Sequence, residues 1–171
     1  ELEIQPGAVN WMTAGKGVVH SERTPEYLRT TDKSLHGLQI WVALPKHLEN
    51  CEPLFSHVEA KDIPHWKQDK VNFKLIAGEA FGKKSPVPVH SPLYFIEIKS
   101  NYKTSLNIGK ELYGEVAMYI LEGSVINDGN RYENKQILSA KEGSLCTFEI
   151  AESTTIYLVG GEAFPEEQFI Y

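Results

Sequence analysis

The chain has 171 residues, 42% of them hydrophobic and 23% charged, which is the balance of a globular protein large enough to bury a core. Its formal net charge is −6, and no cluster of Lys and Arg is long enough to form a phosphate-binding surface, so we expect no direct binding of nucleic acid. No apolar run approaches the ~18 residues of a membrane span and no signal peptide is recognisable, so we expect no membrane partner.

The two cysteines, Cys51 and Cys146, lie far apart in the sequence. Two reduced thiols are a better interpretation than a disulfide, and a cytoplasmic location is therefore the default prediction. The chain begins without Met in the strand-like stretch "ELEIQPG" and stops at the apolar stretch "EEQFIY". These ends predict a piece of a longer protein.

The first chemically informative stretch is "GKGVVHSERTP", residues 15–25. His20 and Glu22 are two residues apart, and in a strand such residues point to the same face. The spacing alone is compatible with half of a metal site or with an ordinary polar pair. The next stretch, "HGLQIWVAL" (36–44), is typical of a strand, with Ile40 on one face and Trp41 on the other. We expect Trp11 and Trp41 to lie in the core or in a cavity wall.

Residues 45–70 contain many charges and several prolines without sustained alternation, which indicates a connector with one short helix. We therefore divide the chain into residues 1–60, a linker at 61–70, and residues 71–171. The first part has too few strands to close a barrel, whereas the last part has enough for a complete small one.

Alternating strand-like segments dominate residues 71–171. They are "NFKLIAG" (72–78), "LYFIEIKS" (93–100), "VAMYILEG" (116–123), "SLCTFEI" (144–150) and "TTIYLVGG" (154–161). The Asp128-Gly129 pair predicts a hairpin turn, and "KEG" (141–143) predicts another. Strands recurring every ~8–12 residues with polar turns favour an antiparallel sandwich or barrel.

Several of these stretches together resemble the pirin family of the cupin superfamily. They are "PGAVNWMTAGKGVVHSE" (6–22), "LHGLQIWVALP" (35–45), "IAGEAFGKKSPVPVHSPLYFIEI" (76–98), "MYILEGSV" (118–125) and "LVGGEAF" (158–164). The resemblance implies an all-β bicupin, with two antiparallel β-barrels face to face and a metal, usually iron, in the first. In this chain the first barrel is expected to be incomplete and the second to be without metal.

The resemblance also implies a set of ligands. Pirins bind their metal with two histidines of an "HPHRGFE"-like motif and with the His and Glu of an "HSE" motif, which here correspond to His20 and Glu22. No two of the six histidines in the chain are two residues apart, so the first pair has no counterpart. Iron or another divalent transition metal is therefore expected to be weakly held or absent.

Two functions follow from the resemblance. The first is a quercetin 2,3-dioxygenase-type oxidoreductase with an aromatic small-molecule substrate, in which Glu22 takes the proton of the substrate hydroxyl. The alternative is a regulatory protein without catalysis, which binds a transcription factor or a metabolic enzyme. A complete metal site in the parent protein would favour the enzyme.

Overall fold

The computed structural model describes residues 2–32, 34, 36–140 and 145–168. Thirteen strands and four single-turn 3-10 helices form the regular structure of these residues. The strands are β1 (Val9–Thr13), β2 (Leu54–Val58), β3 (His65–Gln68), β4 (Val71–Ala80), β5 (Lys83–Lys84), β6 (Leu93–Ser100), β7 (Thr104–Asn107), β8 (Glu115–Glu122), β9 (Ser124–Asn127), β10 (Asn130–Glu133), β11 (Ile137–Ala140), β12 (Thr147–Ile150) and β13 (Thr154–Gly161). The 3-10 helices are Glu26–Leu28, Lys46–Leu48, Ala60–Asp62 and Gly109–Glu111.

Two antiparallel sheets surround the main core. The larger one has the strand order β11-β8-β13-β6-β4-β3, with β5 paired to β4, and the smaller one has the order β10-β9-β12-β7. Alternation places one face of each strand inward, so that Ile96 of β6 and Phe148 of β12 are buried in one cluster between the sheets. The all-β, antiparallel prediction is confirmed, and the Asp128-Gly129 turn joins β9 to β10 as expected.

A third sheet is formed by β1 and β2 alone, paired antiparallel from Val9 opposite Val58 to Thr13 opposite Leu54. This two-stranded sheet packs on the outer face of the larger sheet. There Val9 and Trp11 join the buried side chains of Val58 and Phe95 in a second apolar cluster. The Thr13 hydroxyl also lies 2.9 Å from Nε2 of His90 and links the two-stranded sheet to the loop before β6. The β1–β2 sheet is thus attached to the rest of the chain through the outer face of the larger sheet.

Three expectations need correction. Residues 36–44, expected to form a strand, are assigned to none, because strand formation requires a hydrogen-bonded neighbour and the sheets formed by the described residues offer none there. The expected linker at 61–70 contains β3, which pairs with β4 and extends the larger sheet. The connector also holds two 3-10 helices, Lys46–Leu48 and Ala60–Asp62, where one short helix was expected.

None of the helices within the described part of the chain has the length and apolar character needed to cross a lipid bilayer.

The burial pattern gives a direct test of the core. Ile96 is fully buried, whereas Ile137 on the edge strand β11 is 69% exposed. We expect Ile96→Ala to lower the free energy of unfolding by about 2–5 kcal/mol, since it leaves a cavity between the two sheets. The matched control Ile137→Ala should change it by less than about 0.5 kcal/mol. Urea denaturation followed by tryptophan fluorescence measures both values, and equal losses would contradict this description of the core.

Candidate functional site

A tight turn after β1 sets the position of the predicted site. The amide of Gly17 donates to the carbonyl of Ala14 (2.8 Å), and the amide of Lys16 donates to the carbonyl of Cys51 (2.9 Å). Gly15 has a φ of +49°, and a Cβ there would lie 2.1 Å from the Cys51 carbonyl oxygen. Only glycine permits this approach, so the segment that carries His20 begins at a fixed point against the residues preceding β2.

The structure brings the two predicted site residues together. Nε2 of His20 lies 3.8 Å from Oε1 of Glu22, so the two side chains project to the same side. They lie in the segment 17–24, which is assigned to no strand. The side chains are 46% and 84% exposed, respectively, so that neither is enclosed. The expected wall of a barrel cavity therefore does not surround this pair in the described residues.

The donor set of this pair is incomplete for a metal centre. Imidazole nitrogen and carboxylate oxygen suit iron and neighbouring divalent metals, but a stable site needs three or four protein ligands. Among residues 2–32, 34, 36–140 and 145–168, no group of three His, Cys, Asp or Glu side chains is arranged to hold a metal ion. The described residues thus supply two donors of the right type and do not by themselves fit a tightly held metal.

Apolar side chains are unusually exposed in the part of the chain that carries this pair. Ten of the twelve large hydrophobic residues that are exposed among the described residues lie between positions 2 and 55. Trp41, which we expected in the core or in a cavity wall, is 81% exposed, while its neighbour Ile40 packs on the second apolar cluster. Trp11 does pack on that cluster. Leu38 and Val42, which strand alternation would place on the same face as Ile40, are 46% and 41% exposed, so the predicted division of residues 36–44 into a buried and an exposed face is not borne out.

Among the described residues after position 70, the titratable groups with clear pKa shifts are buried or half-buried tyrosines. Desolvation raises the pKa of Tyr94 to about 12, and Tyr113 and Cys146 add to the effect. The ring of Tyr94 is packed edge-on against that of Tyr113, with centroids 5.2 Å apart. Burial, together with the neighbouring carboxylates of Glu97 and Glu122, also raises the pKa of Tyr157. These tyrosines therefore stay protonated and neutral at physiological pH, and their rings pack within the sheets.

The raised pKa of Tyr94 predicts an alkaline loss of stability. The folded state holds the phenol proton of Tyr94 more tightly than the unfolded state. The resulting contribution to the free energy of unfolding is therefore complete below pH 10.0 and is lost as the pH rises towards about 12. It amounts to at most about 2–3 kcal/mol. We expect the free energy of unfolding to fall less steeply over this range in Tyr94→Phe than in the wild type. Denaturation at a series of pH values measures the slope of the free energy of unfolding against pH. A slope in Tyr94→Phe equal to that of the wild type would exclude the effect. Tyr102→Phe, at a residue that is 54% exposed, is the control.

Comparison with known proteins agrees with this architecture. The sequence profile of the family described as Pirin matches residues 1–42, which include His20 and Glu22. A "Pirin-like protein" of Caulobacter vibrioides is 41% identical over 160 residues, covering 93% of this chain and 55% of the relative. "Pirin-1" of Arabidopsis thaliana is 37% identical over 122 residues, covering 70% of this chain and 40% of the relative.

Among solved structures, the quercetin 2,3-dioxygenase from Acinetobacter baumannii superimposes with a TM-score of 0.82 at 30% identity, covering 98% of this chain and 55% of that one. The chain thus spans about half the length of the proteins it matches. The all-β architecture, the family profile over the segment with the HSE motif and the similarity across nearly the whole chain agree with one another. The chain belongs to the pirin family of cupin proteins.

Proposed function

We propose that this chain is part of a metal-dependent oxidoreductase of the quercetin 2,3-dioxygenase type. The observation that carries the proposal is the His20–Glu22 pair, whose Nε2 and Oε1 atoms converge to 3.8 Å within the segment matched by the family profile. The similarity to the Acinetobacter quercetin 2,3-dioxygenase supports the reaction class. The substrate class is a planar aromatic small molecule with a free hydroxyl group, and the compartment is the cytoplasm.

In this proposal His20 and Glu22 are two of the ligands of iron or another divalent transition metal. The metal, when bound, supplies the redox chemistry with O₂. The two donors are too few to hold it, so the other ligands come from polypeptide other than the described residues. Glu22 also accepts the proton of the substrate hydroxyl on its carboxylate oxygen, a role suited to a side chain that is 84% open to an incoming ligand.

A hybrid protein tests the function. The matched part of the Acinetobacter quercetin 2,3-dioxygenase, 55% of that chain, is replaced with this chain, and its metal content, O₂ uptake and quercetin absorbance are measured. We expect a folded hybrid that binds metal and consumes quercetin. A folded hybrid with bound metal and no turnover would contradict the proposal.

One observation favours the second candidate, a regulatory protein that binds a protein partner. The exposed apolar side chains between residues 2 and 55, with Trp41 among them, are of the kind that marks protein interaction surfaces. A partner captured in stoichiometric amount, at the same level with His20→Ala, would support this candidate. Loss of capture in Trp41→Ala would assign the contact to this surface.

A further inference from the structure

Residues 36–44 have the composition of a strand but no strand neighbour among the described residues. Within this part of the chain, none of their backbone amides or carbonyls takes part in a backbone hydrogen bond. Seven of the nine residues are exposed, and Ile40 and Leu44 are partly buried. Ile40 packs on the second apolar cluster and attaches the segment to the rest of the chain. A strand-like segment with unpaired backbone groups is a template for pairing with another chain.

Several edge strands of the larger sheets carry charged residues, whereas this segment carries none. The edge strand β3 contains Lys67, β5 is Lys83–Lys84, and the edge strand β10 contains Arg131. Charged side chains of this kind keep the edge of a sheet from pairing with other chains. The stretch "HGLQIWVAL" (36–44) contains no lysine, arginine, acidic residue or proline. It therefore lacks the residues that discourage pairing elsewhere in this chain.

The segment is also complementary to itself. In a symmetric antiparallel pair the two-fold axis passes beside one residue of each strand, and a centre at Ile40 lets all nine residues pair. Ile40 then lies opposite its own copy, and Leu38 lies opposite Val42. Apolar cross-strand pairs of this kind stabilise a sheet, and no like charges are opposed. Leu38 and Val42 are 46% and 41% exposed in the single chain, so pairing removes apolar surface from water.

We propose that residues 36–44 pair with the same residues of a second copy of this chain, in an antiparallel contact centred on Ile40. The contact includes neither His20 nor Glu22 and does not depend on the proposed oxidoreductase function. Stable protein–protein interfaces commonly use about 20–30 residues on each side. This segment supplies nine, so the dimer is weak and its amount depends on the protein concentration.

Sedimentation velocity of the purified chain at a series of protein concentrations tests the pairing. We expect a monomer in the dilute samples and a shift of the sedimentation coefficient towards that of a dimer as the concentration rises. Amide hydrogen exchange, measured by mass spectrometry, should be slower for peptides covering residues 36–44 in the concentrated sample than in the dilute one. A chain that stays monomeric at every concentration would overturn the proposal and leave this segment to a different polypeptide.

A pair of charge variants tests the register. Leu38→Lys/Val42→Lys places lysine opposite lysine at both positions and should abolish the dimer, whereas Leu38→Lys/Val42→Glu places lysine opposite glutamate and should restore it. The control Ile137→Lys, at a 69% exposed residue on the edge strand β11, should leave the dimer unchanged. Because the substituted residues are exposed, the circular dichroism of every variant should match the wild type. Equal dimer content in the two double variants, whether high or low, would overturn the proposal.

Discussion

In the hybrid protein, Glu22→Gln is expected to lower quercetin turnover by ~10²–10⁴-fold, which is the usual contribution of a positioned general base. Glutamine keeps the length and shape of the side chain but cannot hold the hydroxyl proton of the substrate. Because Glu22 is 84% exposed and its charge contact within the described residues is with His20, the substitution should leave folding unchanged. Initial rates of O₂ uptake and of flavonol absorbance loss measure the effect.

A nearby carboxylate provides the matched control. Glu26, in the first turn of the 3-10 helix Glu26–Leu28, is also exposed and lies four residues further along the chain. Glu26→Gln should therefore retain full turnover, while His20→Ala should reduce metal content and turnover together. If Glu22→Gln behaved like Glu26→Gln with the metal retained, Glu22 would not be the base.

The long strands after position 70 were predictable from the sequence because their residues alternate between the two faces of the sheet. β6 and β13 alternate between inward and outward residues over eight positions each, and each has a strand neighbour on both sides. The short strand β3 was missed, since Trp66 is its only strongly apolar residue and it follows a proline in a charged segment. Its place is determined by the two-residue turn at 69–70, which folds it back onto β4 with Gln68 opposite Val71.

Residues 36–44 show a second limit of predicting strands from sequence. The composition is that of a strand, but Ile40 packs on the second cluster while Leu38 and Val42, expected on the same face, are exposed. β-propensity, however, expresses how well side chains fit a pleated surface that already exists. Without a neighbouring strand among the described residues, the segment has the pattern of a strand and none of its ladder hydrogen bonds.

The polar contacts of the N-terminal residues also differ in whether a local motif predicts them. His20 and Glu22 were identified because their motif is contiguous, and their spacing indicated the shared side that the structure shows. By contrast, the hydrogen bond between His57 and Asn10, 47 residues apart, exists only once β1 and β2 are paired, so no contiguous motif predicts it.

The exposure of the first site bears directly on its chemistry. The side chains of His20 and Glu22 are 46% and 84% exposed, and the adjoining Val19 is 98% exposed, so water reaches the pair freely. In water, charges and dipoles are screened and contribute little to a transition state, whereas enclosed sites gain most from them. Both the number of ligands and the surroundings therefore limit what this chain does on its own.

The 171-residue chain alone should accordingly show little or no dioxygenase turnover. Redox cycling requires a metal that stays bound through the cycle with positions open for substrate and O₂, and two exposed donors separated by 3.8 Å do not enforce this. Without the missing ligands, the chain loses a large share of the ~10–16 kcal/mol of binding free energy that is typical of a tight metal site. The chain is incubated with ferrous iron and quercetin while O₂ and flavonol absorbance are followed, with the active hybrid as positive control. Turnover by the isolated chain that disappears in His20→Ala would show instead that two donors suffice.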